Sequence, residues 1–95
     1  MTELHTRLKE LAERFGVEVR AQPIGGSIEE YLAFNRPDGT VASQFVYGKD
    51  DQTGADRYGV YEVIPGVNYR WLYYSTANEA LRALEIILEA ATQEV

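Results

Sequence analysis

The chain has 95 residues, a mass of 10.7 kDa and no cysteine, so disulfides, thiolate zinc sites and cysteine nucleophiles are excluded. Hydrophobic residues make up 45% and charged residues 25%, the balance of an ordinary globular domain rather than a disordered segment. Nine basic residues against fifteen acidic give a net charge of −6, which leaves no basic stripe for a nucleic-acid backbone.

This length predicts a single domain over residues 1–95 with a thin core, burying roughly 60–65% of the unfolded surface. No repeat, low-complexity tract or linker interrupts it. Met1 to His5 lacks the basic-then-apolar pattern of a signal peptide, and Ile86-Ile87-Leu88 is far too short for a membrane span. The expectation is a cytoplasmic protein. The acidity serves either solubility or complementarity to a basic partner surface.

Leu4, Leu8, Leu11 and Phe15 recur every three or four residues, one stripe of an amphipathic helix. Thr2 can cap its start and Gly16 can sit just past its end. Glu3–Arg7 and Glu10–Arg14 are spaced for i, i+4 pairing on its outer face. From Val17 the period becomes two, and Val17, Val19 and Ala21 alternate with polar residues as a first strand. Pro23 to Ser27 turns the chain, and Ile28, Leu32 and Phe34 share one face of a second strand. Arg36-Pro37-Asp38-Gly39 carries the signature of a type I turn with glycine in the left-handed position. A third strand follows from about Thr40 to Tyr47.

Gly48 to Arg57 contains only Ala55 as an apolar residue and reads as a solvated, mobile loop. Strands near Tyr58–Ile64 and Val67–Ser75 join around Pro65-Gly66. Thr76-x-x-Glu79 is a capping box that opens a second helix from Ala77 to about Thr92. Its apolar arc is wide, from Ala80 and Leu81 through Ile86 to Ala91, so it must touch something besides the sheet. The order α-β-β-β-β-β-α with short connections predicts an α+β two-layer sandwich. An antiparallel meander of about five strands carries the N- and C-terminal helices on one face.

That arrangement leaves the other sheet face uncovered. Tyr69, Trp71 and Tyr73 alternate onto one side of the last strand, while Arg70, Leu72 and Tyr74 fall on the other. Tyr31 opposes Ile28, Leu32 and Phe34 and shares the open face with Glu29, and Tyr61 and Tyr47 join it if register allows. Tyr, Trp and Arg are enriched at protein interfaces. An open aromatic face this dense on a small chain points to association, although cross-strand aromatic pairs also simply stabilise sheets.

Other constellations are weaker. The helix–three strands–helix core suggests the double-stranded-RNA-binding topology, but that module opens its second helix with basic residues, where this chain has Thr76-Ala77-Asn78-Glu79. Asp50, Asp51 and Asp56 lack the ligand order of a calcium loop. His5 has no orienting partner nearby in sequence, and Ser27, Ser43 and Ser75 have no histidine at motif spacing. Gly25-Gly26-Ser27 lacks a phosphate-loop lysine and opens no helix. Glu29, Glu30 and Glu62 lie on strands and could flank a pocket, whereas Glu85 and Glu89 form a solvated helix face.

The expectation is a small acidic, non-enzymatic protein-binding module of inhibitor, immunity or chaperone-like character. It acts through Tyr31, Tyr61, Tyr69, Trp71 and Tyr73, with no metal or cofactor, and its partner is another protein or a second copy. One alternative is a ligand-binding protein or metal-free enzyme with a pocket between sheet and helix, Arg20 or Arg70 holding an anionic group. The other is a structural homodimer stacked through its aromatic faces.

Overall fold

The computed structural model describes residues 3–64 and 68–93. Helix α1 (Glu3–Phe15) leads into strands β1 (Glu18–Ala21), β2 (Ile28–Asn35), β3 (Val41–Lys49), β4 (Asp56–Ile64) and β5 (Asn68–Tyr74), and helix α2 (Ala77–Thr92) closes the chain. The strands pair antiparallel in sequence order, β1-β2-β3-β4-β5, and both helices lie on one side. This is the α+β two-layer meander that the periodicities imply. The cap at Thr2, the turn at Pro65-Gly66 and the strand start at Val67 lie outside the described residues.

Local signals act where expected. Gly16 has φ of 67°, and the bonds from its N–H to Glu13 and from Val17 to the Ala12 carbonyl end α1 in a Schellman motif. Gly39 has φ of 90° and donates to Arg36, so the β2–β3 hairpin closes as the Pro-Asp-Gly signature requires. Thr76 caps α2, its hydroxyl accepting from the Glu79 N–H and donating to the Glu79 carboxylate. The α2 C-terminus has no basic residue of its own. Arg36 supplies one from the hairpin, donating to the Ala91 carbonyl at 2.9 Å and to Val41 at 2.9 Å.

The core lies between sheet and helices. Leu8 and Ala12 of α1, Leu81, Leu84 and Leu88 of α2, and Leu32, Phe34, Phe45 and Val60 of the sheet are buried in one cluster. Cross-strand register fixes which residues share this side: Val19–Phe34, Leu32–Phe45, Phe45–Val60 and Val60–Leu72 stand opposite one another.

Several expectations need correction. β2 carries one extra residue, Glu29, between the Ile28–Gly48 and Glu30–Tyr47 pairs. Such a bulge inverts the alternation, so Ile28 leaves the face of Leu32 and Phe34 for the opposite one. Tyr47 lies on the helix side, stacked at 4.9 Å on Tyr58, and does not join the open face. Residues 48–57 are solvent-facing but are not one continuous loop. β3 continues to Lys49, β4 begins at Asp56, and the Asp50 carboxylate accepts from the Gln52 and Thr53 amides to close the turn. Ile86 is 55% exposed rather than buried. Arg7 and Arg14 of α1 reach across to Asn78 and Glu85 of α2, at 2.5 and 2.7 Å, so Glu85 ties the helices together instead of forming a solvated face.

Candidate functional site

Among the described residues no helix packs on the second face of the sheet, and register arranges its side chains in rows across the strands. One row is Tyr31–Val46–Gly59–Tyr73; the next contains Gln44, then Tyr61 opposite Trp71; a third sets Val63 opposite Tyr69. All of Tyr31, Tyr61, Tyr69, Trp71 and Tyr73 therefore share this face.

The rings form a connected surface. Tyr31 and Trp71 meet edge to face at 6.3 Å across the low ground left by Val46 and Gly59. Tyr61 meets Trp71 at 5.3 Å, also edge to face, and stacks on Tyr69 at 5.2 Å. These are the geometries that the ring quadrupole favours. Tyr73 stands apart, with the Arg57 guanidinium 4.5 Å above its ring. The outer members remain open, Tyr69 being 56% exposed, Tyr73 53% and Val63 46%.

Neighbouring strands hold these rings. The Tyr31 hydroxyl donates to Gln44 Oε1 at 3.0 Å. Ser43, fully buried on the helix side, donates its hydroxyl to the Tyr61 carbonyl at 2.7 Å, just beyond the Phe45–Val60 pair where the β3–β4 register ends. Gly59 leaves room for its neighbours: a Cβ there would stand 2.7 Å from Val46 and 3.0 Å from the Tyr73 ring.

At the hairpin end of the same face, a depression of about 550 Å³ is lined by Ile28, Val46, Gly48, Gln52, Arg57, Gly59 and Tyr73, among others. On the helix side of that hairpin, Asp56 accepts from Lys49 and from the Tyr47 hydroxyl, the latter at 2.9 Å. These bonds hold the Asp56 carboxyl below the usual carboxylate range and push the Tyr47 hydroxyl and the Lys49 ammonium up. The carboxyl of Asp50 is held low by the Thr53 and Gln52 amides. Asp50 and Asp56 are thus committed to the turn, each already bonded.

Arg20 and Arg70 do not come together. Arg20 sits on β1 in register with Ala33, on the aromatic face, bonded to Glu18 at 2.9 Å. Arg70 sits at the opposite edge on the helix side, bonded to Glu62 at 2.6 Å. Glu30 meets His5 of α1 at 2.8 Å, a partner that the sequence around His5 does not announce. Val63, Arg57 and Gln44 belong to the aromatic face but were not marked by the sequence. Val63 is two residues from Tyr61 and readable by alternation, whereas Arg57 and Gln44 depend on register.

Among the described residues no helix is long and apolar enough to cross a membrane. Comparison with models of known protein families, with curated proteins and with solved structures returned no match.

Proposed function

We propose that this chain is a protein-binding module whose contact surface is the helix-free sheet face built on Tyr31, Tyr61, Tyr69, Trp71 and Tyr73. The observation that carries the reading is a contiguous aromatic surface left open on one side of a thin two-layer fold. Monomeric domains rarely leave such patches without a partner. The rings are held by edge-to-face packing and by Gln44, so little side-chain freedom is lost on binding. Tyrosine hydroxyls and Arg57 add hydrogen bonds at the rim. The acidic surplus is shared between α2, with Glu79, Glu85 and Glu89 against Arg82, the start of β2, with Glu29 and Glu30, and the Asp50-Asp51 turn. The partner surface is therefore read as apolar at its centre, with basic groups only at the edge.

The test is quantitative affinity capture with wild type, Trp71→Ala and a helix-side control, Arg82→Ala. A hot-spot tryptophan contributes about 2 kcal/mol or more, roughly a 30-fold loss of affinity. A partner kept by the control and lost by Trp71→Ala fits the reading. Equal capture by all three, with folded proteins, removes it.

The depression over Gly48 and Gly59 supports a second reading, a small planar ligand lying beside Tyr73 and Arg57. A thermal-shift screen of metabolites checks it, since a ligand at 100 times its Kd adds about 2.7 kcal/mol. A shift abolished by Arg57→Ala favours it; a screen with no shift sets it aside.

A further inference from the structure

β5 is an edge strand, and it lacks the devices that normally blunt an edge. Its seven residues run in unbroken register with β4, without proline or bulge, and its one charged side chain, Arg70, is already bonded to Glu62. The opposite edge, β1, is four residues long and carries Glu18 and Arg20. A long, regular, aromatic edge offers its unpaired N–H and C=O groups to another strand of matching shape.

We propose that β5 pairs antiparallel with β5 of a second copy, about a two-fold axis at Trp71, joining two five-stranded sheets into one of ten. The dimer extends the aromatic face on which the proposed function rests.

The pattern of the strand selects a second copy over a foreign peptide. An isologous contact requires a strand that matches itself when reversed. Reversal about Trp71 sets Tyr69 opposite Tyr73 of the second copy, Trp71 opposite its own counterpart, and Arg70 opposite Leu72. Every pair on the open face is then aromatic against aromatic. No like charges oppose one another, although each chain carries −6.

A separate observation lies on the same side of the molecule. α1 packs on β1 and against α2, while α2 spans β3 to β5, so the flank of α2 turned away from α1 lies toward the β5 edge. Helical spacing puts Ala83 and Ala90 on that flank, beside buried Ile87, and Ala83 is partly buried against the core. A foreign strand would cover the edge alone. A second copy also brings a second Leu72 and Tyr74 to the helix side of the same seam.

The register can be tested by charge exchange. Absolute mass by light scattering is measured for wild type, Tyr69→Lys/Tyr73→Lys and Tyr69→Lys/Tyr73→Glu, with circular dichroism as the check on folding. The proposal expects a wild-type mass of twice 10.7 kDa, a monomer for the lysine pair, and a restored dimer for the lysine–glutamate pair. Hydrogen exchange on wild type provides a reading free of substitutions, with β5 amides slowing as concentration rises and β1 amides unchanged. A wild-type monomer overturns the proposal. So does a dimer that survives the lysine pair, or one that both variants split equally. Because mass is read on the isolated protein and partner capture through Trp71→Ala, either reading can fail alone.

Discussion

Gly48 makes the most demanding structural prediction at the candidate site. It pairs with Ile28 at the bulged end of β2, in extended backbone that any residue can adopt, and lines the depression beside the aromatic rows. A Cβ placed on it would stand 2.5 Å from the Ser27 carbonyl oxygen, 3.1 Å from Ile28 Cα and 3.2 Å from the Ser27 carbonyl carbon. Carbon–oxygen contacts ordinarily stand near 3.4 Å, so roughly 0.9 Å must be recovered from backbone, which yields poorly. Overpacking of this kind costs about 1–3 kcal/mol. The Lys49 N–H bond to Ser27, at 3.1 Å, is strained with it and is worth about 1 kcal/mol. Stiffening the unfolded chain returns only about 0.4–1 kcal/mol, leaving Gly48→Ala destabilised by about 2 kcal/mol or more. A domain of this size loses about 0.2 kcal/mol of stability per kelvin near its midpoint, so Tm should fall by about 10 K. Gly25 is the control, because a Cβ there meets nothing within 4 Å and its φ is not in the left-handed region. Gly25→Ala should therefore be neutral or slightly stabilising. Thermal unfolding by circular dichroism, with urea midpoints at constant m, measures both. If Gly48→Ala melts with Gly25→Ala and wild type, the bulge geometry is wrong.

Ser43→Ala removes the only bond described for the Tyr61 carbonyl beyond the β3–β4 ladder, and should cost about 1–3 kcal/mol in urea unfolding; a cost under 0.5 kcal/mol would mean that water replaces the hydroxyl freely. Arg36→Ala should cost about 2 kcal/mol, and Arg36→Lys should not recover it, because the planar fork reaches Ala91 and Val41 together. Asp38, Asp50 and Asp56 are each held below the usual carboxylate range, so the unfolded chain binds their protons more readily. Their contribution is present above about pH 4 and is lost as pH falls through the folded values. Urea midpoints should therefore drop between pH 5 and pH 3, and less in Asp50→Asn/Asp56→Asn; an equal drop in that variant would place the acid sensitivity elsewhere.

What could be read from the sequence was whatever one element decides alone. Thr76 and Glu79 cap α2 using atoms within one turn, Gly16 and Gly39 take up positive φ, and Tyr69, Trp71 and Tyr73 share a side of β5 by alternation. What stayed hidden depends on a second strand or helix. Glu29 is a bulge only because Gly48 and Tyr47 stand where they do, and that insertion moves Ile28 to the other face. The 50–55 turn looks like a loop by composition, yet Asp50 closes it by accepting backbone amides. His5 finds Glu30 across 25 residues, and Ile86 is exposed because the sheet and α1 together cover only the side of α2 that carries Leu81, Leu84 and Leu88, with Ile86 nearly opposite Leu84.

The aromatic face follows from that distinction. Side-chain type and alternation put the rings on one side, but what holds them in place comes from other strands. Gln44 fixes Tyr31, Ser43 fixes the backbone of Tyr61 through the sheet, and the missing Cβ of Gly59 gives Tyr73 its place. None of these three is aromatic, and none lies on β5. If the face binds, replacing Ser43, on the helix side, should weaken binding without touching the partner, and replacing Gln44 or Gly59 should weaken it beyond what their own small contact area explains. Their effects should be smaller than that of Trp71 and should track the loss of ring order rather than of contact area. A decorative sheet surface would show no such link, because its rings could reorient without consequence.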